Sequence, residues 1–208
     1  LSSFWIEAEG GSEEIVSCKD PETAIVGTGT FAVVLSFAKG ETYDTLTRLL
    51  RVPASSRATQ PPLALRLPKP VALGPGVELC GRAALEEAAI THFCAANGLG
   101  PLVHGVFFAR FRDVGGRPRF FPIVVQEQAV QSWCRYLRTC HTALAGKVAA
   151  CKTLLLLARA AKADLLCADA KLNNMLLLNR GEEGATLSEK EVSLCDFDPQ
   201  FIFWNKNA

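Results

Sequence analysis

The feature that most constrains the fold is a change in the spacing of apolar residues along the chain. The first half carries short β-type runs at residues 24–38, 63–67, 102–111 and 120–126. Residues 131–166 instead carry helical periodicity. Alternating or β-branched runs favour strands, whereas apolar residues recurring every three to four positions favour helices. The sequence therefore predicts an α+β fold in two lobes.

The β-type runs and their connections predict a five-stranded sheet. Residues 24–38 read as two strands around a glycine turn, and residues 81–97 are rich in Ala, Leu and Glu, which indicates one helix after the third strand. The segment 39–62 is polar and ends in two prolines, so we expect an irregular insertion. Residues 174–178 and 191–195 indicate a small hairpin near the end of the chain.

The domain organisation follows from these elements. We expect a single domain over residues 1–208, with a first lobe at 1–128 and a second, shorter lobe at 129–208. In the second lobe, the helical region is expected to break near Gly146.

Composition and charge exclude several classes of protein. Hydrophobic residues make up 49% of the chain, which argues against disorder. The net charge is +1, with both signs spread along the sequence, so an electrostatic nucleic-acid binder is not expected. The apolar runs fall short of the ~20 residues that a membrane-spanning helix needs. The first residues lack the basic start of a signal peptide, and the chain begins with Leu1, so we expect a processed protein or a fragment.

The cysteine pattern favours reduced thiols. No Cys-x-x-Cys pair occurs, and three histidines accompany the eight cysteines, so a zinc site is not expected. Most of the cysteines lie in apolar stretches, where a free thiol packs as a small hydrophobe. We therefore expect a cytoplasmic protein, while a disulfide framework in a secreted effector or a secretory-pathway enzyme stays open as an alternative. The cysteines are Cys18, Cys80, Cys94, Cys134, Cys140, Cys151, Cys167 and Cys195.

The first chemical motif is the glycine-containing run GTGTFAVV that begins at Gly27. A glycine turn between two strands lets backbone N–H groups approach phosphates without obstruction by side chains. The run resembles the kinase loop G-x-G-x-x-G-x-V, with Ala32 in place of the third glycine. An ordinary glycine hairpin is the alternative. The resemblance assigns phosphate or base contacts to Gly27, Thr28, Gly29, Thr30 and Val34.

The second motif joins a strand cation to a helix carboxylate. The strand LALR, which ends at Arg66, resembles the kinase strand V-A-I-K, whose cation contacts phosphates and a helix glutamate. An arginine at this place resembles choline-kinase-like enzymes, and Lys69 is the alternative cation. The resemblance implies that Glu87, three residues before the apolar Ile90, is the helix partner, with Glu86 as its rival.

The third motif, CADAKLNN, resembles the catalytic loop H-R-D-L-K-x-x-N, followed here by an apolar strand. Its spacing lets a carboxylate orient the attacking hydroxyl while an amide five residues later reaches a metal from the same loop. The resemblance implies that Asp169 orients the acceptor, Lys171 neutralises the transferring phosphoryl group and Asn174 binds Mg²⁺. Cys167 and Ala168 replace the His and Arg of that loop. The Arg pairs with an activation-loop phosphate in the family, so its absence argues against control by phosphorylation of an activation loop.

The fourth motif is a strand that ends in Asp196-Phe197-Asp198. It resembles the kinase D-F-G site, in which the carboxylate corresponding to Asp196 bridges Mg²⁺ to phosphates. Asp198 replaces the glycine, a feature of choline-type small-molecule kinases. Few residues follow, so we expect a fragment or a minimal kinase. The apolar run 201–204 is expected to pack on the second lobe or against further helices, and if those helices are missing it would form an exposed apolar patch.

Taken together, the motifs cover residues 24–204 and resemble the protein-kinase-like superfamily. The resemblance implies a two-lobed protein-kinase-like fold, with a five-stranded antiparallel sheet and one helix in the first lobe and a truncated, mainly helical second lobe. Adenine is expected against the backbone of 126–129, between Val34 and Leu176. The remaining residues assigned to the nucleotide site are Ala64, Arg66, Gln126, Gln128 and Met175.

The resemblance implies an ATP- and Mg²⁺-dependent phosphotransferase. Lys171 favours transfer to a Ser or Thr hydroxyl of a protein. Arg66 and Asp198 favour a small alcohol such as choline or an aminoglycoside. A pseudokinase, which binds without turnover, is the third alternative, because Cys167 and Ala168 also depart from the family pattern.

Overall fold

The computed structural model describes residues 3–7, 13–17, 23–28, 32–53, 62–68, 77–112, 116–139, 142–178, 191–197 and 200–204. The chain divides into two compact units. The first comprises Leu1–Ala88 and Val103–Gln128, and the second comprises Ala89–Leu102 and Ala129–Ala208. The class is α+β.

The first unit is built on one antiparallel sheet of seven strands. Its strand order is β2-β1-β6-β7-β5-β4-β3. Among the described residues of this unit, two helices accompany the sheet: α1 between β4 and β5, and the beginning of α2 between β5 and β6. The bounds are β1 Ser3–Glu7, β2 Glu13–Ser17, β3 Thr23–Thr28, β4 Ala32–Phe37, α1 Glu41–Leu49, β5 Leu63–Pro68, α2 Val77–Ala96, β6 Val103–Arg112 and β7 Pro118–Glu127.

Alternation along β5 separates the core from the second face of the sheet. Leu63 and Leu65 are fully buried in the core of the first unit, whereas Arg66 points to the opposite face, because successive side chains of a strand alternate. Tyr43 and Leu46 of α1 belong to the same core. The helix thus covers the apolar face of the sheet and leaves Arg66 on the other.

Ion pairs attach the first hairpin to the rest of this unit. Glu13 on β2 contacts Arg110 on β6 at 2.6 Å, and Glu14 contacts Arg48 on α1 at 2.8 Å. The Arg110 guanidinium also lies 5.5 Å from the ring centre of Trp5. These contacts accompany the pairing of β1 with β6, which enlarges the sheet.

The predicted five-stranded sheet is therefore wrong. Strands β1 and β2 extend it to seven, and helix α1 occupies part of the segment that the sequence indicated to be irregular. The first two strands gave a weak signal because Glu, which is depleted in strands, makes up three of their ten positions. Helix α1 contains three threonines, which have low helix propensity, and packing against the sheet outweighs that preference.

The second unit combines helices with two small sheets. One sheet has the order β11-β10-β8 and the other pairs β12 with β9. The core contains side chains from both sheets and from the helices, with Trp133 fully buried among them. The bounds are β8 Gln131–Ser132, α3 Trp133–Arg138, α4 Ala143–Lys162, β9 Leu165–Cys167, a 3₁₀ turn Leu172–Asn174, β10 Met175–Leu178, β11 Glu191–Leu194 and β12 Ile202–Trp204.

The expectation of a mainly helical second lobe is also wrong, because the described residues of this unit form five short strands beside the helices. The helical region breaks before Ala143, where the Thr142 side chain accepts a hydrogen bond from the backbone N–H of Ala145. Gly146 lies inside α4, and apart from the adjoining helix backbone no atom of the described residues stands within 4 Å of the place its Cβ would take. The break was misplaced because a glycine is tolerated inside a helix at modest cost.

Two further properties concern the whole described part of the chain. None of its helices is both long enough and apolar enough to cross a lipid bilayer. Five of its cysteines are free thiols: Cys94, Cys134, Cys151, Cys167 and Cys195.

Candidate functional site

The residues of the CADAKLNN motif form a tight loop between β9 and β10. The backbone N–H of Lys171 donates to the Asp169 carbonyl at 2.8 Å, and the N–H of Asn174 donates to the Lys171 carbonyl at 2.8 Å. These turns bring the side chains of Asp169, Lys171 and Asn174 to one place. The predicted spacing therefore corresponds to a real cluster in the second unit.

The Asp169 carboxylate is held through one of its two oxygens. Lys171 Nζ donates to Asp169 Oδ2 at 2.7 Å, and Asn174 Nδ2 donates to the same oxygen at 2.9 Å. Asn174 Nδ2 also lies 3.2 Å from the Asp169 carbonyl oxygen. No described residue donates a hydrogen bond to Oδ1, and 35% of the Asp169 side chain is exposed. One oxygen is thus fixed while the other can accept a hydrogen bond from a ligand.

The electrostatics keep this pair charged. The hydrogen bond from Lys171 is the main cause that lowers the pKa of Asp169 below its ordinary value. The same bond raises the pKa of Lys171, and the negative charges of Asp169 and Asp196 add to that effect. Near neutral pH the carboxylate is therefore ionised and the amine protonated. Such a carboxylate is a weak base and is better suited to orienting a hydroxyl.

Asp196 lies at the end of the neighbouring strand. Met175 on β10 pairs with Leu194 on β11, and the backbone N–H of Cys195 donates to the Asn174 carbonyl at 2.9 Å. Asp196 follows directly, with a left-handed backbone at φ 62°. A non-glycine residue in this region is uncommon and concentrates at functional sites. The predicted metal ligands Asn174 and Asp196 therefore lie at the same end of one β-hairpin.

The side chains of this loop, together with Asp196, include oxygen atoms of the kind that Mg²⁺ prefers. Asp169 and Asp196 supply carboxylates, and Asn174 retains its side-chain carbonyl oxygen because only its amide nitrogen is used as a donor. Mg²⁺ is typically held by one or two carboxylates together with phosphates and water. In the described part of the chain, no group of three or more His, Cys, Asp or Glu side chains is placed to hold a metal.

The first unit brings together the predicted strand cation and helix carboxylate. Arg66 on β5 forms an ion pair with Glu87 on α2, and 17% and 18% of the two side chains are exposed. Glu86 instead contacts Arg82, one turn earlier on the same helix, at 3.3 Å. The geometry thus distinguishes Glu87 from its rival. Lys69, the alternative cation, lies outside the described residues.

The glycine motif is described only at its two ends. Gly27 and Thr28 belong to strand β3, and Gly27 pairs with Val34 on β4. A Cβ on Gly27 would meet Val34 at 3.6 Å, an ordinary contact distance, so the strand does not require a glycine there. Gly29 and Thr30 lie outside the described residues.

The other nucleotide-site predictions in the first unit fall on neighbouring strands. Ala64 on β5 pairs with Ser36 on β4 and with Gln126 on β7. The Ser36 hydroxyl donates to the side-chain oxygen of Gln128, whose backbone N–H lies 3.3 Å from the Pro62 carbonyl. The first unit therefore places Ala64, Gln126 and Gln128 close to one another.

The nucleotide residues predicted in the second unit differ in exposure. Met175 is 1% exposed and packs in the core, whereas its neighbour Leu176 is partly exposed. Strand alternation separates the two, because residues that follow one another point to opposite faces. Asp198 lies outside the described residues.

One property of the loop was not predicted. Burial raises the pKa of the Cys167 thiol, and the neighbouring backbone of Asp169 offsets part of that rise. The sequence drew attention to Cys167 only as a replacement for histidine. No local sequence pattern indicated that this thiol would be buried.

Comparison with known proteins adds no assignment. No protein-family model matches the sequence, and no curated protein matches it.

Proposed function

We propose that this protein is an ATP-dependent phosphotransferase of the kinase type, which transfers the γ-phosphoryl group to a Ser or Thr hydroxyl of a protein. The observation that carries the proposal is the Asp169 carboxylate, whose Oδ2 is fixed by Lys171 and Asn174 while its Oδ1 accepts no hydrogen bond from a described residue. A fixed carboxylate with one open oxygen is suited to aligning an attacking hydroxyl.

The roles of the side chains follow from the loop. The acceptor hydroxyl donates its hydrogen bond to Asp169 Oδ1. The acceptor oxygen forms a bond to the γ-phosphorus as the bond to the β–γ bridging oxygen breaks, ADP leaves, and the hydroxyl proton passes through Asp169 to solvent. Lys171 is protonated and 56% of its side chain is exposed, so its remaining N–H groups can contact a phosphoryl oxygen.

Two further groups support the proposal. Asn174 and Asp196 offer the oxygen ligands that would hold Mg²⁺, which neutralises phosphate charge when bound. In the first unit, Glu87 holds Arg66, whose guanidinium is chemically suited to phosphate oxygens.

Transfer of label from [γ-³²P]ATP tests the proposal. Protein substrates are offered first, followed by choline and aminoglycosides. We expect labelled protein, and we expect Asp169→Asn to reduce labelling by about 100-fold or more, the scale of losing a preorganised catalytic group. Asp164→Asn is the matched control, because Asp164 precedes β9 and lies outside the loop.

The pattern of labelling separates the alternatives. Label on the small alcohols alone would replace the protein acceptor with a small-molecule one. Nucleotide binding without any transfer would identify a pseudokinase. Equal labelling by wild type and Asp169→Asn would contradict the assigned role of the loop.

A further inference from the structure

The strand that follows the Asp196 motif is attached to the candidate catalytic loop. Strand β12 pairs with β9 in antiparallel register, with Ile202 opposite Cys167 and Phe203 opposite Leu166. The pairing continues one residue further, because the backbone N–H of Ala168 donates to the Phe201 carbonyl at 2.8 Å. Ala168 immediately precedes Asp169. A backbone hydrogen bond from a distant segment thus ends at the residue before the catalytic carboxylate.

The backbone of Asp169 is therefore held on both sides. On the upstream side, Ala168 is bound by Phe201. On the downstream side, the Asp169 carbonyl accepts from the N–H of Lys171 at 2.8 Å. The side chain of Ala168 is a methyl group, which offers no polar contact of its own. Among the described residues, the backbone hydrogen bond to β12 is therefore the polar contact that holds Ala168.

The two faces of β12 have different partners. Ile202 is 5% exposed and packs in the core of the second unit with Leu165. Phe203 and Leu166 are opposite each other and are 58% and 64% exposed. Burial of Ile202 therefore fixes β12, while Phe203 adds little to its attachment.

We propose that residues 200–204 are a positioning segment for the catalytic loop, in which the buried Ile202 holds β12 so that the Phe201 carbonyl fixes the backbone before Asp169. This inference rests on the proposed function for its catalytic consequence. Its structural part, that β12 orders the loop, does not depend on the proposed function. The segment sets the loop through backbone hydrogen bonds, so the loop is ordered without a charged side chain at position 168.

Amide hydrogen exchange in the full chain tests the structural part. Ile202→Thr keeps a β-branched residue and removes apolar burial, and Phe203→Thr is the matched control on the exposed face of the same strand. In Ile202→Thr we expect the amides of Ala168, Lys171 and Asn174 to exchange about tenfold or more faster. The amide of Leu194, which donates to the Leu99 carbonyl at 2.7 Å, reports on the core and should change far less. Phe203→Thr should leave all four within about twofold of wild type.

The results decide the proposal without an activity assay. An Ala168 amide that is unprotected in the wild type would overturn it. So would acceleration confined to Ala168, since the strand would then be a local attachment that does not order the loop. If Ile202→Thr accelerates exchange of the Leu194 amide as much as that of the loop amides, the milder variant Ile202→Val is measured in its place. Loop amides that are then still accelerated only as much as Leu194 would also overturn the proposal.

Kinetics test the catalytic part. Ile202→Thr should lower kcat for phosphotransfer about tenfold or more, with the KM for ATP within about twofold, because positioning acts on the chemical step. An unchanged kcat alongside faster loop exchange would contradict the positioning role. A wild type with ordered loop amides and no phosphotransfer would instead refute the proposed function.

Discussion

Arg66 and Glu87 form an ion pair from which most solvent is excluded, with 17% and 18% of their side chains exposed. The two residues are separated by twenty positions of sequence and lie on different elements, a strand and a helix. Fully exposed ion pairs contribute ~0–1 kcal/mol, whereas breaking a buried pair costs ~3–5 kcal/mol. Because this pair is largely buried, we expect the free energy lost on breaking it to lie between those limits.

Removal of the helix carboxylate should therefore destabilise the protein. We expect Glu87→Gln to lower the free energy of unfolding by about 1–3 kcal/mol, because the partly buried Arg66 charge loses its ion pair with Glu87. Urea unfolding followed by circular dichroism measures the change. Glu86→Gln is the control, since Glu86 contacts the mostly exposed Arg82, and it should shift the free energy by less than ~0.5 kcal/mol. Equal changes in the free energy of unfolding in the two variants would show that the Arg66–Glu87 pair contributes no more to stability than the exposed Arg82–Glu86 pair.

Arg66 should also matter for turnover. We expect Arg66→Ala to reduce kcat about 100-fold or more, as loss of one preorganised charge does, and Arg66→Lys to recover part of the rate. Steady-state phosphotransfer kinetics provide the measurement. Full activity in Arg66→Ala combined with inactivity in Lys69→Ala would assign the phosphate contact to Lys69.

Gly146 offers a test of the second unit that is independent of function. Gly146→Ala should raise the free energy of unfolding by about 0.5–1 kcal/mol, because the position is helical and has room for a Cβ. Gly98→Ala is the contrasting variant: its backbone has φ +64°, and a Cβ would lie 2.7 Å from Arg159 Nη2. We expect it to lose about 1 kcal/mol or more in the same unfolding experiment. A loss of stability in Gly146→Ala would mean that α4 does not continue through this residue.

The contact between Lys171 and Asp169 predicts a pH dependence with a definite sign. In the wild type, the lowered pKa of Asp169 keeps the carboxylate ionised until the pH falls through that lowered value. Lys171→Met removes the main cause, so the pKa of Asp169 rises and the acidic limb of the pH–kcat/KM profile should move to higher pH. Lys147→Met, at an exposed position of α4, serves as the control. If the acidic limb of the pH–kcat/KM profile stays at the same pH in Lys171→Met, the contact between Lys171 and Asp169 does not control the ionisation that limits catalysis.

The sequence predicted local chemistry better than the extent of the sheet. Asp169, Lys171 and Asn174 lie within six positions, so their meeting needs only one tight turn, which spacing can reveal. Arg66 and Glu87 could be paired from the sequence because the order of strand and helix constrained them. Strands β1 and β2 could not be predicted, because β1 joins the sheet by pairing with β6, about a hundred positions away, and β2 joins it only through β1. Strand β12 was missed for a similar reason, since three residues carry no periodicity by themselves.

Calorimetric binding of a non-hydrolysable ATP analogue, with and without Mg²⁺, tests whether this protein is a nucleotide- and magnesium-dependent enzyme. We expect Mg²⁺ to strengthen binding about tenfold or more in the wild type, and Asp196→Asn to lose most of this gain, because asparagine tolerates the left-handed backbone but lacks the charge. Asp164→Asn, at an aspartate that also has a left-handed backbone, with φ 53°, should behave as the wild type. Absence of nucleotide binding, or a Mg²⁺ effect that Asp196→Asn leaves unchanged, would show that Asp196 does not hold a nucleotide-bound metal.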